Sequence, residues 1–252
     1  MQDLAGLGIA VTGAAGDIGS AMARELAGRG ARVTMIDRLP PADAAARVAE
    51  VEALGECEYR MADVTERAAL EEVLVAVDPL DVAVGNAGIV DAAPFLDVSA
   101  EQWQAHLEIN LTGCFNVGQV AARLLVERGR PGRIIFTGSW VGEVPWPDIA
   151  PYSVSKAGVR MLARSMAREL AGHGIRVNVV APGIVWAGMA RRQFETDPVY
   201  ARRASGVVPL GEFGTAEQVA KATAFLCSPD AEYMTGSVLL VDGGASLFRF
   251  AE

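Results

Sequence analysis

Along this chain, short apolar runs alternate with amphipathic stretches. Residues 8–11 form an apolar run that ends at Thr12-Gly13-Ala14-Ala15-Gly16-Asp17-Ile18-Gly19. Ile18, Met22 and Leu26 then recur every four residues, which predicts a helix over 20–27 that Gly28 and Gly30 bring to an end. A strand over 32–36 stops at Asp37. The alternation continues with helices over 42–54 and 66–77. Between and after them come strands over 57–61, ending at Ala62-Asp63, and 82–84, ending at Gly85-Asn86-Ala87-Gly88. Ser99 and Gln102 have the spacing of a capping box at the start of a helix. A second helical stretch covers 113–128, and a strand over 133–136 ends at Thr137-Gly138-Ser139. A long helix over 152–170, a strand over 175–180 ending near Pro182-Gly183, a helix over 216–226 and a strand over 238–241 complete the pattern.

Seven strands separated mostly by helices predict an α/β protein, with a doubly wound parallel sheet covered on both faces. No linker, internal repeat or low-complexity segment interrupts the chain, so residues 1–252 are expected to form a single domain. Only 184–214 lack a clear period. They are rich in turn and charged residues, and a substrate lid is expected there. The conspicuous polar and glycine residues fall at the C-terminal ends of strands, where open parallel sheets hold their ligands.

Composition narrows the functional classes. The 252 residues are 51% hydrophobic and 21% charged, which excludes a disordered chain. With 22 Lys+Arg against 31 Asp+Glu, the net charge of -9 opposes both nucleic acid and anionic membrane surfaces as partners. Cys57, Cys114 and Cys227 lack paired spacing, and only His106 and His173 supply imidazole, so no metal centre is expected. Both histidines are expected at helix surfaces or caps. No apolar run reaches the roughly 18 residues of a membrane span. The N-terminus lacks the basic start of a secretion signal, and a cytoplasmic location is expected.

The first turn has its glycines for a physical reason. Backbone must approach a pyrophosphate closely while the following helix points its N-terminal amides at the anion. No Gly-Lys-Ser/Thr follows, so the turn is not a P-loop. Asp37, closing the second strand, would accept the hydroxyls of an adenosine ribose. It would repel a 2'-phosphate by roughly 4 kcal/mol at about 4 Å and an effective dielectric of about 20. NAD is therefore expected as cofactor over NADP, although Arg38 could stack on adenine or meet a phosphate. Tyr152 and Lys156 lie four apart on the long helix and share a face. A phenol titrates near 10 and is a poor base at neutral pH, but a neighbouring ammonium favours its ionised form. Ser139, at a strand end, could bond the same substrate oxygen.

These segments together resemble the short-chain dehydrogenases/reductases. TGAAGDIG is similar to that family's glycine turn, ADV to its adenine-contacting strand end and GNAG to its NNAG motif. INLTG is similar to the helix carrying its catalytic Asn, YSVSK to its Tyr/Lys motif, and RVNVVAPG and MTGSVLLVDGG to its later strands. The resemblance covers nearly the whole chain. It implies a Rossmann-type fold and an NAD-dependent oxidoreductase that moves a hydride between an alcohol and nicotinamide. Tyr152 would be the acid/base and Ser139 would orient the substrate oxygen. Lys156 would assist Tyr152 and bind the nicotinamide ribose, while Asn110 would hold a water of the proton relay. The cofactor would be lined by Gly13, Ile18, Gly19, Asp63, Val64, Asn86, Ala87, Gly88, Pro182, Gly183 and Val185, beside Asp37 and Arg38.

Three positions depart from the family pattern. Asp17 replaces a motif glycine and either lies by the cofactor or caps its helix; Gly85 replaces an Asn; Ala187 stands where a hydroxyl residue is frequent. For the substrate, Trp140, Trp146 and Trp186 lie in loops expected around the site, and Glu143 with Pro145-Trp146-Pro147 resembles the loop of bacterial glucose 1-dehydrogenases. That favours a sugar or polyol, with a cyclic or aryl ketone as the alternative. A nucleotide-sensing protein without turnover is the alternative of another class. Trp103, with Leu107 four residues on, is expected in the core. The helices over 113–128 and 152–170 keep apolar positions that one sheet face cannot cover, and the resemblance implies that they pair with their counterparts across a two-fold axis; with Phe248 and Phe250 offering a second axis, a homotetramer is expected.

Overall fold

A computed structural model gives the structure of residues 3–247; Phe248 and Phe250 lie outside the described residues. Seven strands form one sheet in the order β3-β2-β1-β4-β5-β6-β7, every pair parallel. The strands are β1 (Gly8–Thr12), β2 (Arg32–Asp37), β3 (Cys57–Met61), β4 (Val82–Gly85), β5 (Gly132–Thr137), β6 (Ile175–Pro182) and β7 (Val238–Val241). The chain winds outward from β1 to β3, then returns to place β4 on the other side of β1. The strand order reverses between β1 and β4, and a crevice opens there beyond the strand ends.

Two apolar layers sandwich the sheet. On one face α1 (Asp17–Gly28) packs with α2 (Pro41–Glu52) and α9 (Ala216–Cys227) over Ile9, Val11, Val33 and Met35. On the other, α3 (Arg67–Ala76), α5 (Gly113–Glu127) and α6 (Ala150–Leu170) cover Ala10, Ala83, Ile134 and Phe136. Central strands are buried on both faces, so they read as unbroken apolar runs. Gly85 belongs to this packing. A Cβ there would stand 2.7 Å from the ring of fully buried Phe136, so no Asn fits at this position.

Boundaries moved where backbone geometry decided them. Helix α1 starts at Asp17, three residues early, because Gly16 is extended and serves as its N-cap. Strand β6 runs on to Pro182 because β7 pairs with it to that point. Ser99 and Gln102 form the expected capping box at the head of α4 (Ala100–His106). Between α4 and α5 the helix widens into a π-helical segment, Leu107–Thr112, which the sequence pattern does not reveal.

Two expectations fail near that segment. Trp103 is 38% exposed and stands outside the core. His106 is fully buried: Nδ1 donates to the Gln102 carbonyl at 2.7 Å and Nε2 accepts the Asp91 N–H at 3.1 Å. An imidazole offers a donor and an acceptor on opposite edges, so it joins the helix to the loop after β4. Residues 184–214 contain two short helices, α7 (Gly188–Thr196) and α8 (Pro198–Ala204). Their charged faces hide any apolar period. The Asp197-Pro198 pair was the available signal, since Asp197 caps α8 through the Val199 and Tyr200 amides. The base of this segment is closed by Gly214, whose carbonyl and amide meet Trp186 N–H and the Ile184 carbonyl.

Candidate active site

A cleft of about 420 Å³ lies over the reversal point. Its lining begins at Asp37 and Arg38, passes Gly13, Ile18 and Gly19, follows Asn86, Ala87 and Gly88, and reaches Ser139, Tyr152 and Lys156. Asp63, Val64, Pro182, Gly183 and Val185 also line it. Residues predicted from widely separated motifs thus share one cleft.

The turn after β1 is built for close approach. Gly13 has φ of 65°, the left-handed region, and a Cβ there would stand 2.7 Å from the Ala87 Cα. A Cβ on Gly19 would run into the Gly13 carbonyl. The first-turn amides of α1 have no intrahelical partner, and Ile18 and Gly19 line the cleft. Bare backbone, orphan amides and a carboxylate at the next strand end fit a dinucleotide running from ribose to nicotinamide. Asp37 is fixed in place, its carboxylate accepting the Ala15 and Leu39 amides at 3.0 and 3.2 Å.

Asn86 secures the floor. Its amide donates to the carbonyls of Thr12 and Gly13 at 3.1 and 3.3 Å, and its Oδ1 accepts from Thr137 Oγ1 at 3.0 Å. The Thr137 carbonyl in turn accepts from Lys156 Nζ at 2.7 Å. Lys156 is only 3% exposed, has no carboxylate partner among the described residues, and holds Nζ 5.6 Å from the Tyr152 ring centre. A buried ammonium without a counter-ion marks a functional site more often than a stabilising one. Ser139 Oγ accepts the Val141 N–H at 3.4 Å, which leaves its own hydrogen for another acceptor.

Asn110 is buried behind this cleft and does not line it. Its Oδ1 accepts the Ile89 N–H at 2.8 Å, and its Nδ2 donates to the Ile89 carbonyl and Ser155 Oγ. The side chain therefore holds the exit of β4 against α6.

The substrate residues divide. Trp140 and Trp146 line the cleft and pack together at 5.3 Å, in an apolar cluster with Ile149, Ile184 and Tyr200. Glu143 points elsewhere: its carboxylate pairs with Arg160 at 2.7 Å and is absent from the lining. Trp186 also lies outside the lining. It is 44% exposed, stacked on Phe213 and edge-on to Phe194. In their place the structure brings in Ile149, Gln193 and Tyr200, which the sequence pattern left unread. Asp148, just before α6, has φ of 66°, a strained position for a residue with a Cβ. Its carbonyl accepts from Ala93 and its carboxylate pairs with Arg203 of α8, so it ties its own loop to the loop after β4 and to α8.

Asp17 does not cap α1. Its carboxylate pairs with Arg47 of α2 at 2.7 Å and accepts the Gly188 N–H at 2.7 Å. Gly188 opens α7, whose N-cap, Ala187, has no side-chain acceptor to offer. Two departures from the family pattern thus answer one another: the acceptor missing at 187 is supplied from position 17.

Comparison with known proteins gives a consistent picture. A family model described as enoyl-(acyl carrier protein) reductase matches residues 13–246. A 3β-hydroxysteroid dehydrogenase of Eggerthella lenta is 37% identical over 98% of this chain and 96% of its own. Human L-xylulose reductase is 36% identical over 96% and 97%. The structure of a candidate 2-deoxy-D-gluconate 3-dehydrogenase from Agrobacterium tumefaciens, solved with NADP bound, superposes with a TM-score of 0.89. It is 29% identical and covers 98% of this chain and 99% of its own.

Replacing Asp17 with Ala leaves the Gly188 amide without its acceptor and Arg47 with Glu50 alone as its partner. Hydrogen exchange of the first α7 amides is expected to accelerate by about fivefold to tenfold, in line with loss of about 1 kcal/mol of capping. Exchange within β1 and β4 should stay unchanged, as read by mass spectrometry of the exchanged peptides.

Proposed function

Because the chain belongs to the short-chain dehydrogenase/reductase family, we propose that it interconverts a secondary alcohol and the corresponding ketone with NAD. The observation that carries this reading is the buried Lys156 ammonium beside Tyr152, held by a backbone carbonyl inside the cleft. The dinucleotide, when bound, supplies the hydride acceptor or donor. Gly13, Ile18 and Gly19 would hold its phosphates, Asp37 the adenosine ribose, Asp63 and Val64 the adenine, and Lys156 the nicotinamide ribose.

In oxidation, the substrate hydroxyl gives its proton to the Tyr152 phenolate; in reduction, Tyr152 returns that proton to the carbonyl oxygen. Lys156 places its Nζ 5.6 Å from the centre of the Tyr152 ring, on the side of the cleft where the proton is transferred. Ser139 donates its free hydrogen to the same substrate oxygen. Asn110 fixes Ile89 and Ser155, so its part in a proton relay would be to position the loop after β4 and the start of α6 around it. The segment 184–214 acts as the lid, with Asp17 and Asp148 as its attachments.

The substrate is a cyclic or aryl alcohol or ketone. A sugar called for a carboxylate among the aromatics, and Glu143 is spent on Arg160. What remains around Tyr152 is Trp140, Trp146, Ile149 and Ile184, a lining suited to an apolar ring. NAD is favoured by the fixed carboxylate of Asp37, with Arg38 mostly exposed beside it. A cytoplasmic location accords with three free cysteines, and no described helix is long and apolar enough to cross a membrane.

Assembly as a homotetramer completes the reading. Phe115, Val126 and Met161 are exposed on α5 and α6, and a groove lined by Phe115, Ala122, Leu162 and Met166 runs between these helices. A second copy would cover them across a two-fold axis, and the β7 edge, with Leu240 exposed, offers a second axis.

Three experiments test these statements. Tyr152→Phe should lower turnover by about 10²- to 10⁴-fold while NAD binding, measured by calorimetry, survives; turnover within tenfold of the parent would refute the assignment. The parent should use NAD over NADP by at least about tenfold in kcat/KM, and Asp37→Ser should narrow that ratio as the charge repulsion goes. Light scattering at micromolar concentration should give about four times 26.5 kDa, and a clean monomer mass would exclude the assembly.

A further inference from the structure

Each lid helix contributes one polar side chain to the cleft lining: Gln193 from α7 and Tyr200 from α8. Tyr200 is the more constrained. It is 7% exposed, and its ring stands edge-on to Trp146 with centroids 6.4 Å apart. Its neighbours in the same cluster are Trp140, Ile149, Ile184 and Val207, all apolar. Asp197 takes its backbone N–H at 3.1 Å, but no hydrogen bond joins its hydroxyl to the described residues. The hydroxyl oxygen is open to the cleft rather than sealed in the cluster, so a ligand seated there can meet it. Tyr152 lies close enough for its charge to act on Tyr200. The two phenols reach the cleft from different elements, one from α6 and one from the lid.

We propose that the Tyr200 hydroxyl recognises substrate by donating a hydrogen bond to a second oxygen on a cyclic ketone or alcohol whose first oxygen sits at Ser139 and Tyr152. The inference rests on the dehydrogenase reading and narrows it from an apolar ring to a ring bearing two oxygens. Burial, with the nearby Tyr152 charge adding to it, pushes the Tyr200 phenol up to about 12. The group therefore keeps its proton through the neutral range and serves as a donor rather than a second base. An apolar wall with one such donor rejects a ring that lacks the acceptor, because the hydroxyl is then left buried and unmet.

The test compares cyclohexanone with cyclohexane-1,2-, 1,3- and 1,4-dione. Calorimetry on NAD-loaded protein reads their binding without turnover, and reduction with NADH reads kcat/KM. At least one dione is expected to bind about tenfold more tightly than cyclohexanone. In Tyr200→Phe that preference should vanish, with the diones weakened and cyclohexanone bound at least as tightly as in the parent, which also shows that the variant is folded. No dione preference in the parent, or a preference that survives in Tyr200→Phe, overturns the proposal. An equal loss for all four ketones with a displaced pH profile of kcat overturns it too, because Tyr200 then acts on Tyr152. If the parent binds the dione with the expected preference but reduces none of the ketones, the dehydrogenase reading fails while the role of Tyr200 in recognition stands.

Discussion

The side-chain amide of Asn86 spans the C-terminal ends of three neighbouring strands. From the end of β4 it reaches the Thr12 and Gly13 carbonyls beyond β1 and the Thr137 hydroxyl at the end of β5. A parallel sheet has no hydrogen-bond ladder past its last paired residue, so these ends would otherwise splay apart into water. One side chain that donates twice and accepts once holds them at fixed spacing. The glycine turn rests on that amide, with Gly13 and Gly19 each lacking the Cβ that would strike it. The Thr137 carbonyl, oriented from the same point, receives the Lys156 ammonium. The glycine turn and the helix carrying Tyr152 and Lys156 are thus placed by one shared contact.

The far end of the cleft is held differently. There the apolar cluster around Trp140 and Trp146 closes against α7 and α8, and polar contacts appear only at its margins. Asp148 accepts a strained backbone and pairs with Arg203, while Asp17 reaches the head of α7. Both ionic contacts are partly exposed, and such pairs contribute little to overall stability. Their effect is to choose where α7 and α8 rest rather than how firmly the domain folds.

How much of this was legible follows from the range of the interactions. Strand and helix positions were readable because each apolar run answers to a sheet two layers deep, a local rule with a fixed period. Ser139, Tyr152 and Lys156 were readable because strand end and helical spacing place them by themselves. Glu143 was misjudged because its partner, Arg160, is 17 positions away on another element and no local pattern records the choice. Trp103 was misjudged because four-residue spacing to Leu107 identifies a helix face but not what covers it. His106 defied expectation because its burial depends on a backbone amide, that of Asp91, which no side-chain pattern reports. Tyr200 sat in a stretch whose arginines masked two short helices.

The exchange between positions 17 and 187 constrains how this chain can change over generations. A hydroxyl gained at 187 would compete with a carboxylate already seated there. A glycine restored at 17 would take the acceptor from a helix start and one of two partners from Arg47 in one step. Each reversion is costly while the other residue stays as it is, so the order of substitutions matters. The pair is therefore expected to be inherited together, and a descendant that loses one member should show a compensating change at the other, or at Arg47, before any change in the residues that do the chemistry.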